Sequence, residues 1–262
     1  MRNTLAIAGK EVRTYLTTWV AYVLSGAFMF LTALVFVLLV DDYRNRMLMA
    51  EQQAQWALER FNLTDMVMGP VFGNTSVFFL IMLPMLTMGL LAEERKSKTL
   101  ELLMTAPVRP FEIVLGKYLG VLVVMSAMLA MTALFPLLLE LFGGAEGTSA
   151  LDWGTIGASY LGLFLMGAGM LAVGMLASAA TESQVVAVVV SFAVLIFFWF
   201  IGFTAQGEQG FWPKVAQHVA LTSHLQDFLR GVIKLSDVAY YLSLAFAGLF
   251  LTHRVVEAQR WR

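Results

Sequence analysis

Six long apolar runs divide the chain and limit what it can fold into. A helix needs about 20 apolar residues to cross the hydrocarbon core of a bilayer, and only the last run is clearly shorter. We therefore predict an all-α integral membrane fold with six transmembrane helices in a single domain that covers residues 1–262. The predicted spans are residues 19–40, 71–92, 118–139, 154–180, 185–203 and 238–252.

The overall composition agrees with a membrane protein. Hydrophobic residues make up 59% of the chain and charged residues 13%, whereas about a quarter of the residues of a soluble domain are charged. The chain has no cysteine, so disulfides and thiolate metal sites are excluded.

Three segments outside the spans have amphipathic patterns. Residues 1–18 place apolar side chains at spacings of three and four beside basic ones, which predicts an amino-terminal interfacial helix. Residues 41–70 predict an external amphipathic helix, and either the lipid surface or a protein partner fits its apolar face. Residues 204–237 form a second external segment, whose amphipathic part runs from 215 to 233.

The distribution of lysine and arginine orients the chain. If the amino terminus is inside, the inner segments hold eleven of the 17 basic residues and the outer segments hold six. Inner loops of membrane proteins carry the excess of basic residues. We therefore expect both termini and the segment 93–117 to lie in the cytoplasm.

The segment from Glu93 to Lys117, EERKSKTLELLMTAPVRPFEIVLGK, is the most charged part of the chain. Residues 99–104 are predicted to form a short helix, with apolar side chains on one side. Pro107 and Pro110 end it, because proline lacks the amide hydrogen and restricts the residue before it. A second short amphipathic piece, residues 111–115, is expected to lead into the third span. Composition alone fits an ordinary charged loop.

The order of residues in this segment resembles the cytoplasmic segment of ABC type-2 transporter permeases, particularly the gliding-motility-type branch. The family usually has a glycine where this chain has Lys98. A second similarity extends from His224 to Glu257, before and through the last span. The matching residues are Glu93, Glu94, Arg95, Lys96, Thr99 to Leu103, Ala106-Pro107 and Gly116-Lys117, then Arg230 to Ile233, Asp237 and Tyr240-Tyr241.

This resemblance implies a function and a set of partners. In the family the segment is a coupling helix that docks into a cleft on a separate P-loop ATPase. The resemblance also implies a second permease copy or a paralogue, a membrane-anchored accessory subunit with a periplasmic domain, and a place in the bacterial cytoplasmic (inner) membrane. The residues expected to contact the ATPase are Glu93, Glu94, Arg95, Thr99, Leu100, Glu101, Leu103 and Met104.

Motifs for catalysis are missing from the chain. It has no GxxxxGK[ST] phosphate loop, so we expect ATP and Mg²⁺ to bind the partner ATPase and not this chain. We predict no enzyme activity, no catalytic, metal-binding or cofactor-binding residue and no nucleic-acid partner. The interiors of the predicted spans carry no ionisable residue, which disfavours proton-coupled transport. A sodium-coupled secondary transporter and a non-transporting membrane scaffold remain as alternatives.

Two polar clusters lie at the predicted span ends. Asn74, Thr75 and Ser76 either face a pathway or cap a helix, and capping is the more ordinary explanation. Residues 181–184 are expected to form the short inner turn between spans 4 and 5, which in the family lies near the ATPase.

Overall fold

A computed structural model describes residues 2–53, 62–99, 109–142, 151–205 and 210–259. In these ranges the structure is helical and contains no strand, which confirms the all-α fold. The helices are α1 (Arg2–Thr17), α2 (Trp19–Gln53), α3 (Gly69–Thr87), α4 (Gly89–Lys96), α5 (Pro110–Met131), α6 (Leu134–Phe142), α7 (Trp153–Ala180), α8 (Gln184–Phe200), α9 (Phe211–Val219), α10 (Leu221–Leu229) and α11 (Leu235–Gln259). A π-helical turn covers Thr64–Met68 and a 3₁₀ turn covers Ile201–Ala205.

Six of the described segments are long and apolar enough to cross a membrane, as the sequence predicts. We number them in chain order as spans 1 to 6. They are Trp19–Ala50, Thr64–Lys96, Pro110–Phe142, Trp153–Ala180, Gln184–Phe203 and Leu235–Ala258.

Span 4 forms the centre of the bundle. In its most apolar window 78% of the residues are buried, against 17% in spans 1 and 5. Spans 2 and 6 pack along it. Gly248 of span 6 allows this close approach, because a Cβ there would lie 2.8 Å from the Cβ of Ala172. Small residues at such crossings let helix backbones come together.

Span 1 differs from the prediction. Its helix does not end at Val40 but continues to Gln53, so the predicted separate external helix is wrong for residues 41–53. No glycine or proline lies between these positions to stop the helix. Residues 54–61 lie outside the described ranges.

The ends of spans 3 and 6 also differ. The predicted short piece at 111–115 belongs to the helix of span 3, which begins at Pro110 with Arg109 as its N-cap. Span 3 is interrupted near Thr132, because Pro136 has no amide hydrogen to donate to the carbonyl one turn earlier. The helix of span 6 has 25 residues, so the span that looked short is long enough to cross.

The segment before span 6, which is predicted to be external, contains α9 and α10, which meet at Ala220. Helix α10 packs against span 4 and buries Leu221, Leu225 and Phe228. The predicted amphipathic piece at 215–233 is therefore helical as far as Leu229 and is divided between these two helices.

Candidate coupling site at one end of the bundle

Lys117 lies at the centre of a buried charged cluster near the start of span 3. Its Nζ is 2.7 Å from Oε1 of Glu11 and 2.8 Å from Oε1 of Glu94. The lysine side chain is 4% exposed. One ammonium group therefore joins α1, the end of span 2 and the beginning of span 3. These three side chains are called the Lys117 cluster below.

Two glycines bring α1 against span 3. A Cβ on Gly116 would lie 2.8 Å from the Cβ of Ile7, and one on Gly120 would lie 2.6 Å from the Cβ of Glu11. Real Cβ atoms do not approach so closely, so only glycine fits at either position. The spacing of four residues places both glycines on one helix face. This close packing of the two helices places the carboxylate of Glu11 next to the ammonium group of Lys117.

The buried face of α1 differs from the predicted one. The amphipathic pattern of residues 1–18 predicts Leu5, Ala8 and Leu16 on the apolar side. Ala8 is buried, but Leu5 and Leu16 are 68% and 60% exposed. Thr4 and Glu11 are buried beside Ala8, on the face that packs against the two glycines of span 3. The amphipathic pattern predicts Glu11 outside the apolar face, and that prediction is wrong.

The charge of the Lys117 cluster is unbalanced. Two carboxylates face one ammonium group, and Oε2 of Glu94 is buried with no hydrogen-bond partner among the described residues. Exposed ion pairs contribute about 1 kcal/mol at most, but removing one partner of a buried pair costs about 3–5 kcal/mol. The cluster therefore strongly restrains the relative positions of its three helices.

Tyr15 adds a second connection between α1 and span 2. Its hydroxyl donates a hydrogen bond of 2.6 Å to the carbonyl oxygen of Leu86. Burial raises the pKa of Tyr15 well above its usual value, and the negative charges of Glu11 and Glu93 raise it further. The phenol therefore stays protonated and remains a donor at neutral pH.

Ser178 of span 4 completes an interrupted turn in span 2, where α3 ends at Thr87 and α4 begins at Gly89. The Ser178 hydroxyl accepts from the amides of Leu91 and Ala92, each at 3.1 Å. It donates to the carbonyl oxygen of Met88 at 2.8 Å. One side chain thus makes three backbone hydrogen bonds across two spans, where unpaired polar groups would be costly.

Arg95 and Glu93 connect the end of span 2 to the turn between spans 4 and 5. Arg95 Nη1 donates to the carbonyl oxygen of Ala179 at 2.6 Å. The Gln184 amide donates to Oε2 of Glu93 at 3.2 Å. The turn at 181–183 is short, as predicted. Together with Glu93, Lys96 and Ser97 it lines an open polar concavity of about 810 Å³.

The predicted ATPase-contacting residues fall into three groups. Glu93 and Thr99 are exposed, and the Thr99 hydroxyl lies 2.8 Å from that of Ser97. Glu94 and Arg95 turn inward and bind other helices of the chain. The remaining predicted residues, Leu100, Glu101, Leu103 and Met104, lie outside the described ranges, and their contact with an ATPase stays a prediction.

Lys98 explains the glycine that the family usually has at its position. Its backbone φ is 56°, in the left-handed region that favours glycine. It follows directly on α4, which ends at Lys96 with Ser97 as C-cap. A left-handed residue just beyond a helix end is a common termination. A lysine therefore adopts here a backbone conformation that glycine would adopt without strain.

The Lys117 cluster was not predicted from the sequence. The predicted span 3 begins at Tyr118 and so leaves Lys117 outside the membrane helix, whereas the helix begins at Pro110. Lys117 and Asp237 both fall just outside the predicted spans, but they belong to the helices of spans 3 and 6 and are 3% and 4% exposed. Two features of the sequence indicate the cluster. Glu11 shares a helix face with the small residues Thr4 and Ala8, and Lys117 lies between Gly116 and Gly120.

A metal site in the described part of the chain would need several ligand side chains close together. Within these ranges no three histidine or carboxylate side chains form a metal-binding group.

The fold and the site together define a multi-pass α-helical membrane protein with a rigid, charged cluster at one end of its bundle. The family model described as ABC-2 family transporter protein matches residues 5–251, and the chain belongs to this family. It is therefore a transmembrane subunit of an ABC transporter, a class in which a separate subunit is the ATPase. A search of curated proteins gave no significant match.

Proposed function

We propose that this chain is the permease subunit of an exporter-type ABC complex and that the Lys117 cluster transmits force from a partner ATPase to the bundle. The observation that carries the proposal is the 2.8 Å contact between Lys117 and Glu94. Glu94 lies where the predicted coupling segment begins and Lys117 where it ends. A displacement of the segment would therefore move spans 2 and 3 together instead of bending either one.

The connections around the cluster extend this motion to further helices. Glu11 passes it to α1, and Arg95 and Ser178 pass it to the end of span 4. Interlocked helices of this kind move as bodies and not as independent segments. Mechanical coupling needs this property, because the ATP-binding site lies on another subunit.

The composition of the complex follows from the family resemblance. In this proposal the permease pairs with a second copy or a paralogue, and two ATPase subunits bind Mg²⁺ and ATP. The gliding-motility-type branch adds a membrane-anchored accessory subunit with a periplasmic domain. ATP hydrolysis then drives substrate export or mechanical work on that outer partner. The weakly enclosed apolar faces of spans 1 and 5 are suitable for the partner permease or for lipid.

The proposed location is the bacterial inner membrane with both termini in the cytoplasm. The absence of native cysteine makes this directly testable. Single cysteines at Asn3 and Ser97 should resist an impermeant maleimide in intact spheroplasts, and one at Lys234 should react. The reverse pattern would invert the topology and exclude an ATPase contact at 93–117.

The coupling proposal is tested with the tagged chain and the P-loop ATPase that co-purifies with it. Glu101→Arg and Leu103→Asp should release the ATPase and leave membrane insertion intact. The uncharged triple variant Glu11→Gln, Glu94→Gln, Lys117→Met should retain the ATPase but lose most of the permease-dependent stimulation of ATP hydrolysis. Lys234→Met, at the other end of the bundle, is the control.

Two results would contradict the proposal. One is ATPase retention by both Glu101→Arg and Leu103→Asp, and the other is normal stimulation by the triple variant. Solute movement down a sodium gradient by the chain alone, without nucleotide, would favour the secondary-transporter alternative.

A further inference from the structure

A small, partly open cavity with a mixed polar and apolar lining lies at the end of the bundle opposite the Lys117 cluster. Its volume is about 220 Å³, and spans 2 and 5 and helix α10 form its walls. Ser76, Trp199, Thr222, Ser223 and Gln226 contribute its polar and aromatic surface. At about 30 Å³ per molecule, the cavity has room for roughly seven waters.

Three of the lining side chains have unused hydrogen-bonding capacity. Thr222, Ser223 and Gln226 of α10 form no side-chain hydrogen bond within the described ranges, in contrast to three consecutive polar side chains of span 2. Asn74, Thr75 and Ser76 each donate to a carbonyl of their own helix, at 2.9, 2.8 and 2.5 Å. They lie inside the helix of span 2 and not at its end, so the capping explanation for them is wrong. The capacity to bind another group is therefore concentrated on α10.

The opposite face of α10 is held rigidly. His224 Nδ1 lies 2.7 Å from Oδ1 of Asp237 in span 6, and both side chains are buried. The hydroxyl of Tyr241 donates to the carbonyl oxygen of Leu221 at 2.8 Å. Phe228 packs against Gly162, where a Cβ would lie 2.6 Å from the Cβ of the phenylalanine. Polar side chains on a helix fixed in this way are preorganised for a ligand.

The chemistry of the lining selects a neutral ligand. None of the residues that form the cavity is charged, so an ionic group would find no charged partner among them. Two hydroxyls and a carboxamide can donate to and accept from several ligand hydroxyls. The indole of Trp199 offers an apolar face with a polar edge. This combination matches a hydroxylated ring, which has an apolar C–H face and a polar rim.

We propose that this cavity binds one neutral, sugar-like ring, supplied either by the headgroup of a membrane glycolipid or by a free saccharide. The site goes beyond the proposed function, because binding at this end requires neither the ATPase nor the coupling segment. A negative result would leave the permease proposal intact, and loss of coupling would leave this site intact.

The test uses the full chain in phosphatidylcholine nanodiscs, purified with a detergent that has no sugar headgroup. Monoglucosyl diacylglycerol is the probe, phosphatidylglycerol the charged comparison lipid, and native mass spectrometry the readout of lipid retained on the released protein. We expect the chain to retain the glucosyl lipid preferentially. The double variant Ser223→Ala, Gln226→Ala should reduce that retention about tenfold, and Trp199→Leu should also reduce it.

A matched control separates a site effect from general damage. Ser243 is an exposed serine of span 6 whose hydroxyl donates only to the carbonyl oxygen of Tyr240 in its own helix, and Ser243→Ala should retain the glucosyl lipid normally. An unchanged thermal midpoint of the double variant would show that α10 remains folded.

The two sources of the ring are separated by competition. Displacement of the lipid by methyl glucoside supports a free saccharide, and retention in its presence supports a glycolipid headgroup. Equal retention by wild type and double variant would overturn the proposal, as would preferential retention of phosphatidylglycerol. A double variant that changes only self-association would also overturn it, because the polar wall would then be a contact between copies.

Discussion

Lys117 and Glu94 stand at opposite ends of the predicted coupling segment, and their charged groups are 2.8 Å apart. This contact joins the two ends of the segment directly. Glu11 joins the same ammonium group from the amino-terminal helix at 2.7 Å. The two ends of the predicted coupling segment are therefore connected to α1, span 2 and span 3 through the side chain of Lys117.

Replacement of Lys117 by methionine should destabilise the protein strongly. Lys117→Met leaves two buried carboxylates without their cation, and such a loss costs about 3–5 kcal/mol. The uncharged triple variant with Glu11→Gln and Glu94→Gln should recover most of the loss, because neutral groups are cheaper to bury. Thermal unfolding of the detergent-solubilised chain measures both.

The control for this change is Lys234→Met. Lys234 also forms an ion pair, at 2.6 Å from Asp227, but its side chain is 53% exposed. Solvent screens such a pair, so its loss should leave the unfolding midpoint unchanged. Equal midpoints for Lys117→Met and Lys234→Met would contradict the importance of the buried cluster.

A single methyl group at Gly120 should disturb the contact between α1 and span 3. A Cβ there would lie 2.6 Å from that of Glu11, so α1 must shift, and overpacking of this kind costs about 1–3 kcal/mol. Gly26→Ala is the matched control, since nothing lies within 4 Å of its added Cβ. Thermal unfolding should show a lower midpoint for Gly120→Ala alone. An equal midpoint for both variants would mean that α1 does not depend on this contact.

The length of the apolar runs was sufficient to predict the six spans, because each had to be apolar over a bilayer's thickness. It was insufficient for the Lys117 cluster. Glu11 and Lys117 are polar in sequence, and only the close approach permitted by Gly116 and Gly120 makes their burial possible. The continuation of span 1 to Gln53 was missed for a related reason. Polar residues from Asp41 onward suggested a separate element, although nothing there stops a helix.

Substitution of Lys98 by glycine should stabilise the turn after α4. Lys98 has a φ of 56°, a conformation that costs an ordinary L-residue roughly 1–2 kcal/mol. Glycine removes that cost but gains freedom in the unfolded chain, so we expect a net gain of about 0.5–1 kcal/mol. Lys96→Gly, which changes the charge equally but lies in the helix, should instead lose up to about 1 kcal/mol. Opposite shifts of the two unfolding midpoints are the expected result, and shifts of the same sign would contradict it.

Replacement of His224 should loosen α10 without unfolding the bundle. The Nδ1 of His224 lies 2.7 Å from Asp237, and its ring stacks on Tyr240 with 4.0 Å between centroids. His224→Ala removes both contacts and leaves Oδ1 of the buried Asp237 with only the 3.3 Å hydrogen bond from Ser236, a change worth about 1–3 kcal/mol or more. Amide hydrogen exchange in residues 221–229 should then become at least about tenfold faster, while exchange in span 4 stays unchanged. His253→Ala is the control, because His253 is 3.9 Å from its nearest carboxylate, Glu257. Equal exchange in the two variants would mean that apolar packing on Gly162, and not the pair with Asp237, holds α10 in place.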